Sequence, residues 1–285
     1  WKDAGWKRKP AGPEYNKEKL TPPTKGISNV DYFKNFVDFY NEKKPGEPFF
    51  FWYGSHEPHR VYEEGSGKRL GKNIMKSFVH SFLPDNSIVR SDVADYDLEI
   101  EWFDKQLGEM INFLRQKGEL ENTLIVVTSD NGMPFPSAKA NLMEYGSHVP
   151  LAVSWPAKIK RGEINNDLVS LIDLAPSFLQ IAGVKNIPEM TGKSLNDIIL
   201  LDSNNVHHRN YILTGRERHS DARPDDLGYP SRAIRTQDFL FILNFKPDRW
   251  PAGNPPPGQD LKLSQENSSE NFKPIGLGYS DIDDP

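Results

Sequence analysis

The chain has 285 residues, 36% of them hydrophobic and 26% charged, with a net charge of −5 and no cysteine. This is the composition of an ordinary globular protein of one or two domains, and it lacks the basic footprint that bulk DNA or RNA binding requires. The absence of cysteine excludes disulfides and a thiolate nucleophile in this chain. No apolar run reaches the roughly 18 residues that span a membrane, and the N-terminus carries no signal-peptide core.

Residues 1–28 are rich in Gly, Pro and Lys and read as irregular surface chain. Val30, Phe33, Val37 and Tyr40 then fall at helical spacing, with Asn29 as the expected cap and Pro45-Gly46 as the stop. Phe49-Phe-Phe-Trp-Tyr53 follows as a short strand, apolar enough to be buried on both faces. It runs into Gly54-Ser-His-Glu-Pro-His-Arg60, which places His56, His59 and Arg60 in one loop stiffened by Pro58. A loop histidine is ordinarily just solvated, but two with an arginine at a strand end make a role as proton donor or ligand contact as fitting as solvated surface. Residues 61–90 form a long loop whose Lys68, Arg69, Lys72 and Lys76 could meet an anion, with solvated surface as the simpler reading. Tyr96, Ile100, Phe103, Leu107, Met110 and Leu114 define the clearest helix, capped by Ser91 or Asp92 and ended by Gly118.

The stretch that organises the chain is Leu124-Ile-Val-Val-Thr-Ser-Asp-Asn-Gly132, a β-branched strand ending in an acid, an amide and a glycine. In open α/β sheets such strand ends face the ligand crevice, and the hard oxygens of Asp130 and Asn131 suit Ca²⁺ or Mg²⁺. The alternative is an Asn-Gly hairpin, disfavoured because Pro134 and Pro136 cannot donate to a returning ladder. Lys139 lies eight residues past Asn131, and a second strand follows at Pro150–Trp155. Leu171–Gly183 reads as a helix with Pro176 in its first turn. This order of helices and strands predicts an α/β fold with a mostly parallel sheet flanked by helices. From about residue 205 shorter strands, Tyr211–Leu213 and Phe239–Asn244, indicate a smaller α+β region, so the expected division is 1–204 and 205–285. Between them Arg216, Arg218, His219 and Arg223 form the densest basic patch, suited to carboxylate or sulfate as much as to open solvent.

Taken together, Ser55-His-Glu-Pro-His-Arg60, Phe82-Leu-Pro-Asp85, Thr128-Ser-Asp-Asn-Gly-Met-Pro-Phe-Pro-Ser137 and Tyr229-Pro-Ser-Arg232 resemble the sulfatase family, most nearly its sulfamidase type. The resemblance implies an alkaline-phosphatase-like fold, a bound Ca²⁺ (with Mg²⁺ as the other hard cation) and hydrolysis of a sulfate ester or sulfamate through a formylglycine nucleophile. It places Asp130 and Asn131 among the metal ligands, Lys139 on the sulfate and His56 near the sulfate and leaving group; the strand-end loop and the basic patch add His59, Arg60, Arg218 and His219 as candidate substrate contacts. That substrate would be a sulfated glycosaminoglycan or amino sugar, in the periplasm, the lysosome or outside the cell. The family's Cys/Ser-x-Pro-x-Arg nucleophile motif and its leading acidic pair have no suitable counterpart here; Gly228-Tyr-Pro-Ser-Arg232 has the shape with glycine at the reacting position. The expectation is therefore an internal or C-terminal portion, inactive alone and completed by an N-terminal half of the same protein. Two other readings stay open: a phosphatase or phosphodiesterase on the same superfold, and a non-catalytic module that binds sulfated glycans.

Overall fold

The computed structural model describes residues 12–184, 189–200, 208–218 and 227–249. Its contacts gather this chain into two compact units, which meet in sequence between Glu119 and Leu120. That division lies inside the first of the two regions expected from sequence, whose own boundary near 204 falls outside the described residues.

The first unit is built on two helices. Helix α1 spans Tyr32–Glu42 and is capped by Asp31, whose carboxylate accepts from the Lys34 amide at 2.9 Å. The expected cap, Asn29, is still in extended chain: its carbonyl accepts from the Leu20 amide, and Val30 bridges Lys19. After a short helix α2 (Ser66–Arg69), helix α3 runs from Ser87 to Gln116, about 45 Å at the standard rise. It starts a turn before the expected cap because the Asn86 side chain takes the amides of Ile88 and Val89, both at 3.0 Å. Its end is as the sequence indicates. Gly118 adopts φ +72°, and the amides of Gly118 and Glu119 close on the carbonyls of Arg115 and Leu114.

Between α1 and α3 lies Phe49–Tyr53, extended but without ladder hydrogen bonds among the described residues. Its alternate side chains Phe49, Phe51 and Tyr53 enter an aromatic core, with Phe36–Phe51 and Phe36–Phe113 centroids 5.0 and 5.9 Å apart and Tyr53 stacked on Phe103 at 4.8 Å. Phe50 and Trp52 point outward, 65% and 74% exposed. The run is covered on one face, not on both as its apolar character suggests. Of the apolar residues marked by periodicity on α3, Met110 and Leu114 are buried, Tyr96, Phe103 and Leu107 are half-buried and Ile100 is exposed, while Asp95, Glu99 and Gln106 are fully buried.

The second unit begins with β1 (Ile125–Thr128). After a four-residue helix α4 (Glu144–Ser147) the chain returns as β2 (Leu151–Ser154), antiparallel to β1, with Ile125 facing Ser154 and Thr128 facing Leu151. The pair is an antiparallel member of a sheet expected to be mostly parallel. No crossover helix of sufficient length intervenes, and antiparallel members are common in mixed sheets. Helix α5 (Leu174–Ile181) carries Pro176 in its first turn and ends at Gly183, φ +73°. Helix α6 (Asn196–Ile199) precedes an antiparallel three-stranded sheet in the order β3 (Ile212–Arg216), β4 (Ser231–Arg235), β5 (Leu240–Asn244). The sequence indicates β3 and β5 but not the central β4, whose Ser-Arg-Ala-Ile-Arg run carries two charges and lacks the apolar alternation of a half-buried strand.

Candidate active site

The Asp-Asn-Gly segment leaves the end of β1 with its backbone fixed on both sides. Thr128 Oγ1 donates to the Pro150 carbonyl at 2.8 Å and Ser129 Oγ to the Asn131 carbonyl at 3.0 Å. Asp130 is exposed and Asn131 half-buried, so two adjacent oxygen-bearing side chains stand at the strand end. Gly132 is required by close approach and not by an unusual dihedral. Its amide donates to the Gly146 carbonyl at 3.2 Å, and a Cβ there would sit 1.9 Å from the Tyr145 carbonyl oxygen. Gly146 repeats the argument from the other side, since its Cβ would meet the carbonyls of Ala138 and Asn141 at 2.3 and 2.4 Å.

The loop after Gly132 holds Lys139 in a wound conformation. Phe135 and Ala138 are buried pins, and the Lys139 amide donates back to the Met133 carbonyl at 3.0 Å. On either side Ser137 and Ala140 occupy the left-handed region, φ +61° and +64°, at a cost of roughly 1–2 kcal/mol each for residues with a Cβ. The C-terminal sheet supplies the restraint. Arg216 of β3 donates to the Ala140 carbonyl, and Arg235 of β4 pairs with Glu144 at 3.0 Å in the first turn of α4. The Arg235 guanidinium holds the Glu144 carboxyl below its usual range. Strained backbone kept in place by such contacts marks a position where geometry matters.

In the first unit the Gly54–Arg60 loop presents His56 and His59 outward with ring centroids 5.6 Å apart. The His56 amide donates to Tyr32 Oη at 3.0 Å and the His59 amide to the His56 carbonyl at 3.0 Å. His59 Nδ1 meets the Arg60 carbonyl, which puts the proton of the neutral ring on Nδ1. Beneath the rings Glu57 is buried, accepting from the Ser28 amide at 2.6 Å and from Ser55 Oγ. Arg60 is placed otherwise than as a substrate contact. Only 2% of its side chain is exposed, its guanidinium takes both oxygens of Asp92 on α3, and it lies over the Tyr62 ring at 4.7 Å. Arg60 ties the loop to the helix.

His56, His59 and Arg60 therefore belong to the first unit, and Asp130, Asn131, Lys139 and Arg218 to the second. Arg218 is exposed just past β3; His219 and Arg223 lie outside the described residues. Among the described residues no group of three or more His, Cys, Asp or Glu side chains could hold a metal ion. The oxygens of Asp130 and Asn131 have the right chemistry for a hard cation that takes six to eight such ligands, but they do not make a site by themselves. Sequence reasoning missed Glu57, Asp92, Glu144 and Arg235, which hold the loops. The usable signal was acids at Asp92, Asp95 and Glu99, spaced three and four along α3 on the side that meets the core.

A likeness to solved structures fixes the fold. A crystal structure from Bacteroides fragilis assigned as a sulfatase superposes with a TM-score of 0.59 at 19% identity, over 90% of this chain and 60% of that one. The alkaline-phosphatase-like α/β class expected from sequence thus holds for the chain, although its own described ladders are antiparallel. Human N-sulphoglucosamine sulphohydrolase is 29% identical over 252 residues, 76% of this chain and 48% of that protein. An N-acetylglucosamine-6-O-sulfatase of Bacteroides thetaiotaomicron is 33% identical over 170 residues, 55% of this chain and 29% of that protein. The chain spans about half the length, or less, of the curated relatives it matches. Residues 138–250 match the family model for the C-terminal part of N-sulphoglucosamine sulphohydrolase. Because the sulfatase model itself matches residues 4–184, well over half of the sequence, the chain belongs to the sulfatase family.

Proposed function

We propose that this chain forms the C-terminal part of the catalytic domain of a sulfohydrolase that removes N- or O-linked sulfate from glucosamine-type sugars of heparan-like glycans. The observation that carries the reading is the loop that bears Lys139: its backbone has left-handed residues at Ser137 and Ala140, is tied to Arg216 at the Ala140 carbonyl, and packs closely on the glycine that follows Asp130-Asn131. A cation carried on a held backbone suits a transferring sulfuryl group, whose oxygens gain charge that a nearby ammonium stabilises. His56 and His59 are imidazoles able to hydrogen-bond or protonate a leaving nitrogen or oxygen. Asp130 and Asn131 would contribute two of the oxygens around a Ca²⁺ or Mg²⁺, which when bound polarises the sulfuryl oxygens. The nucleophile, read as formylglycine, and the remaining ligands belong to an N-terminal half outside this chain, so the 285 residues alone should not turn over substrate. The compartment that accompanies this reading is the periplasm, the lysosome or the exterior.

The test is turnover by the full-length protein of N-sulfoglucosamine, glucosamine 6-sulfate and matched phosphate esters. Lys139→Ala is expected to lower kcat/KM for the sulfated sugar by about 10²- to 10³-fold, the scale for loss of one charge-stabilising group, and Lys139→Arg to retain most of it. Faster hydrolysis of the phosphate esters, or an unaffected Lys139→Ala enzyme, would sink the proposal. Saturable binding of the sulfated sugar without turnover would point instead to a glycan-binding module.

A further inference from the structure

Beneath the histidine loop, Glu99 stands on α3 with 1% of its surface exposed, and neither carboxylate oxygen has a hydrogen-bond partner. A buried ion without donors is far costlier than the neutral acid, so such a group keeps its proton. Every charged neighbour is already engaged elsewhere. From the loop, Glu57 accepts from the Ser28 amide and Ser55, Arg60 is taken by Asp92, and Tyr62 donates to the Pro58 carbonyl at 2.8 Å. From α3 itself, Asp95 accepts from the amides of Gly65 and Gly67 and from Ser66 Oγ. Backbone also comes close. A Cβ on Gly26 would stand 2.5 Å from Glu99 Oε1, 2.8 Å from the Val61 carbonyl oxygen and 3.1 Å from Tyr62 Cα. The carboxyl and that carbonyl share one small space, which suits an O–H donor and disfavours a second anion.

We propose that Glu99 is a positioning residue for the His56–His59 loop, a buried acid that keeps its proton in the space it shares with the Val61 carbonyl and whose ionisation loosens the loop. Burial, followed by the nearby Glu57 carboxylate, pushes the Glu99 carboxyl up to about 8, against an ordinary 4.5, and Arg60 only partly opposes this. Because the folded value is raised, the stabilisation is complete below pH 4.5 and is lost as the pH rises through about 8. The histidines would then be well held in neutral and acidic solution and lose their fixed geometry in alkali. As a statement about activity this rests on the proposed sulfohydrolase reaction; as a statement about Glu99 it does not.

The experiment is Glu99→Gln in the full-length protein, with three readings. Glutamine keeps a donor of similar shape without an ionisation. In the native protein the thermal midpoint should fall between pH 5 and 8, and the substitution should flatten that slope. The kcat/KM profile on N-sulfoglucosamine should show an alkaline limb near pH 8 that is absent in the variant; a purely structural role would lower activity at every pH without moving the limb. Carboxyl ¹³C NMR of the native protein should show Glu99 titrating well above the ordinary range. Titration of Glu99 near its ordinary value, or an unchanged slope and limb in Glu99→Gln, overturns the proposal. If the protein does not hydrolyse sulfated sugars at all, the stability and NMR readings still decide the case for Glu99, separately from the failure of the reaction.

Discussion

Gly132 shows what a single residue contributes to the candidate site. The sequence makes Asp130 and Asn131 stand out, since an acid and an amide closing a β-branched run are unusual for a core strand. It gives no reason for the glycine, because the atom that forbids a side chain there, the Tyr145 carbonyl oxygen, lies thirteen positions further on and arrives only when the loop has folded. Gly132→Ala would force that backbone apart. Overpacking of this kind typically costs about 1–3 kcal/mol, and since the neighbour is backbone the upper end is expected, read as a lowered midpoint in urea. An unchanged midpoint would mean that Tyr145 and Gly146 can withdraw freely. Arg60 teaches the same lesson in reverse. Its position beside two histidines is visible in sequence, but whether it faces a ligand or the core depends on Asp92, 32 residues away.

At the level of elements, what is local was legible and what is paired at a distance was not. The ends of α3 and α5 follow from Gly118 and Gly183, both left-handed, both closing the same pair of amide-to-carbonyl bonds at a helix C-terminus. Strand β4 was not legible, because its start overlaps the motif-shaped Gly228-Tyr-Pro-Ser-Arg232 and Ser231-Arg-Ala-Ile-Arg235 has the charge of a loop, and only its place between β3 and β5 makes it a strand. Yet β3 and β4 carry Arg216 and Arg235, which reach Ala140 and Glu144 and so hold the Lys139 loop. Removing the clamp should relax the strained residues without unfolding the sheet. For Arg216→Met we expect amide hydrogen exchange across residues 133–148 to quicken by about tenfold or more, equivalent to roughly 1.4 kcal/mol of local stability, while exchange in β4 and β5 stays near that of the native protein. Uniform quickening across both regions would show that Arg216 supports the whole unit and is not a clamp on the loop.

Across the whole chain, two buried carboxyls pull stability in opposite directions with pH. Asp173, wholly buried in the second unit, accepts from the amides of Ser170 and Lys193 at 2.9 and 2.7 Å, from Arg209 Nε at 3.2 Å, and meets His208 Nε2 at 3.2 Å. Burial alone would raise its pKa; the Arg209 hydrogen bonds and the other donors overcome this and hold it below the ordinary 3.8. A depressed folded value means that its contribution is present above pH 3.8 and is lost as the pH falls through the folded value. Glu99 acts on the other side, its contribution declining as the pH climbs from 4.5 through about 8. The two windows leave the maximum of thermal stability at about pH 4 to 5, at or below the acid end of the usual range. Asp173→Asn should lower stability at neutral pH by about 3 kcal/mol or more, since it leaves Arg209 without its buried partner, and it should also flatten the acid limb while leaving the alkaline one in place. Glu99→Gln should do the converse. A native protein most stable at pH 7.5 or above, or an acid limb unchanged by Asp173→Asn, would show that exposed groups set the profile and that these two buried acids do not.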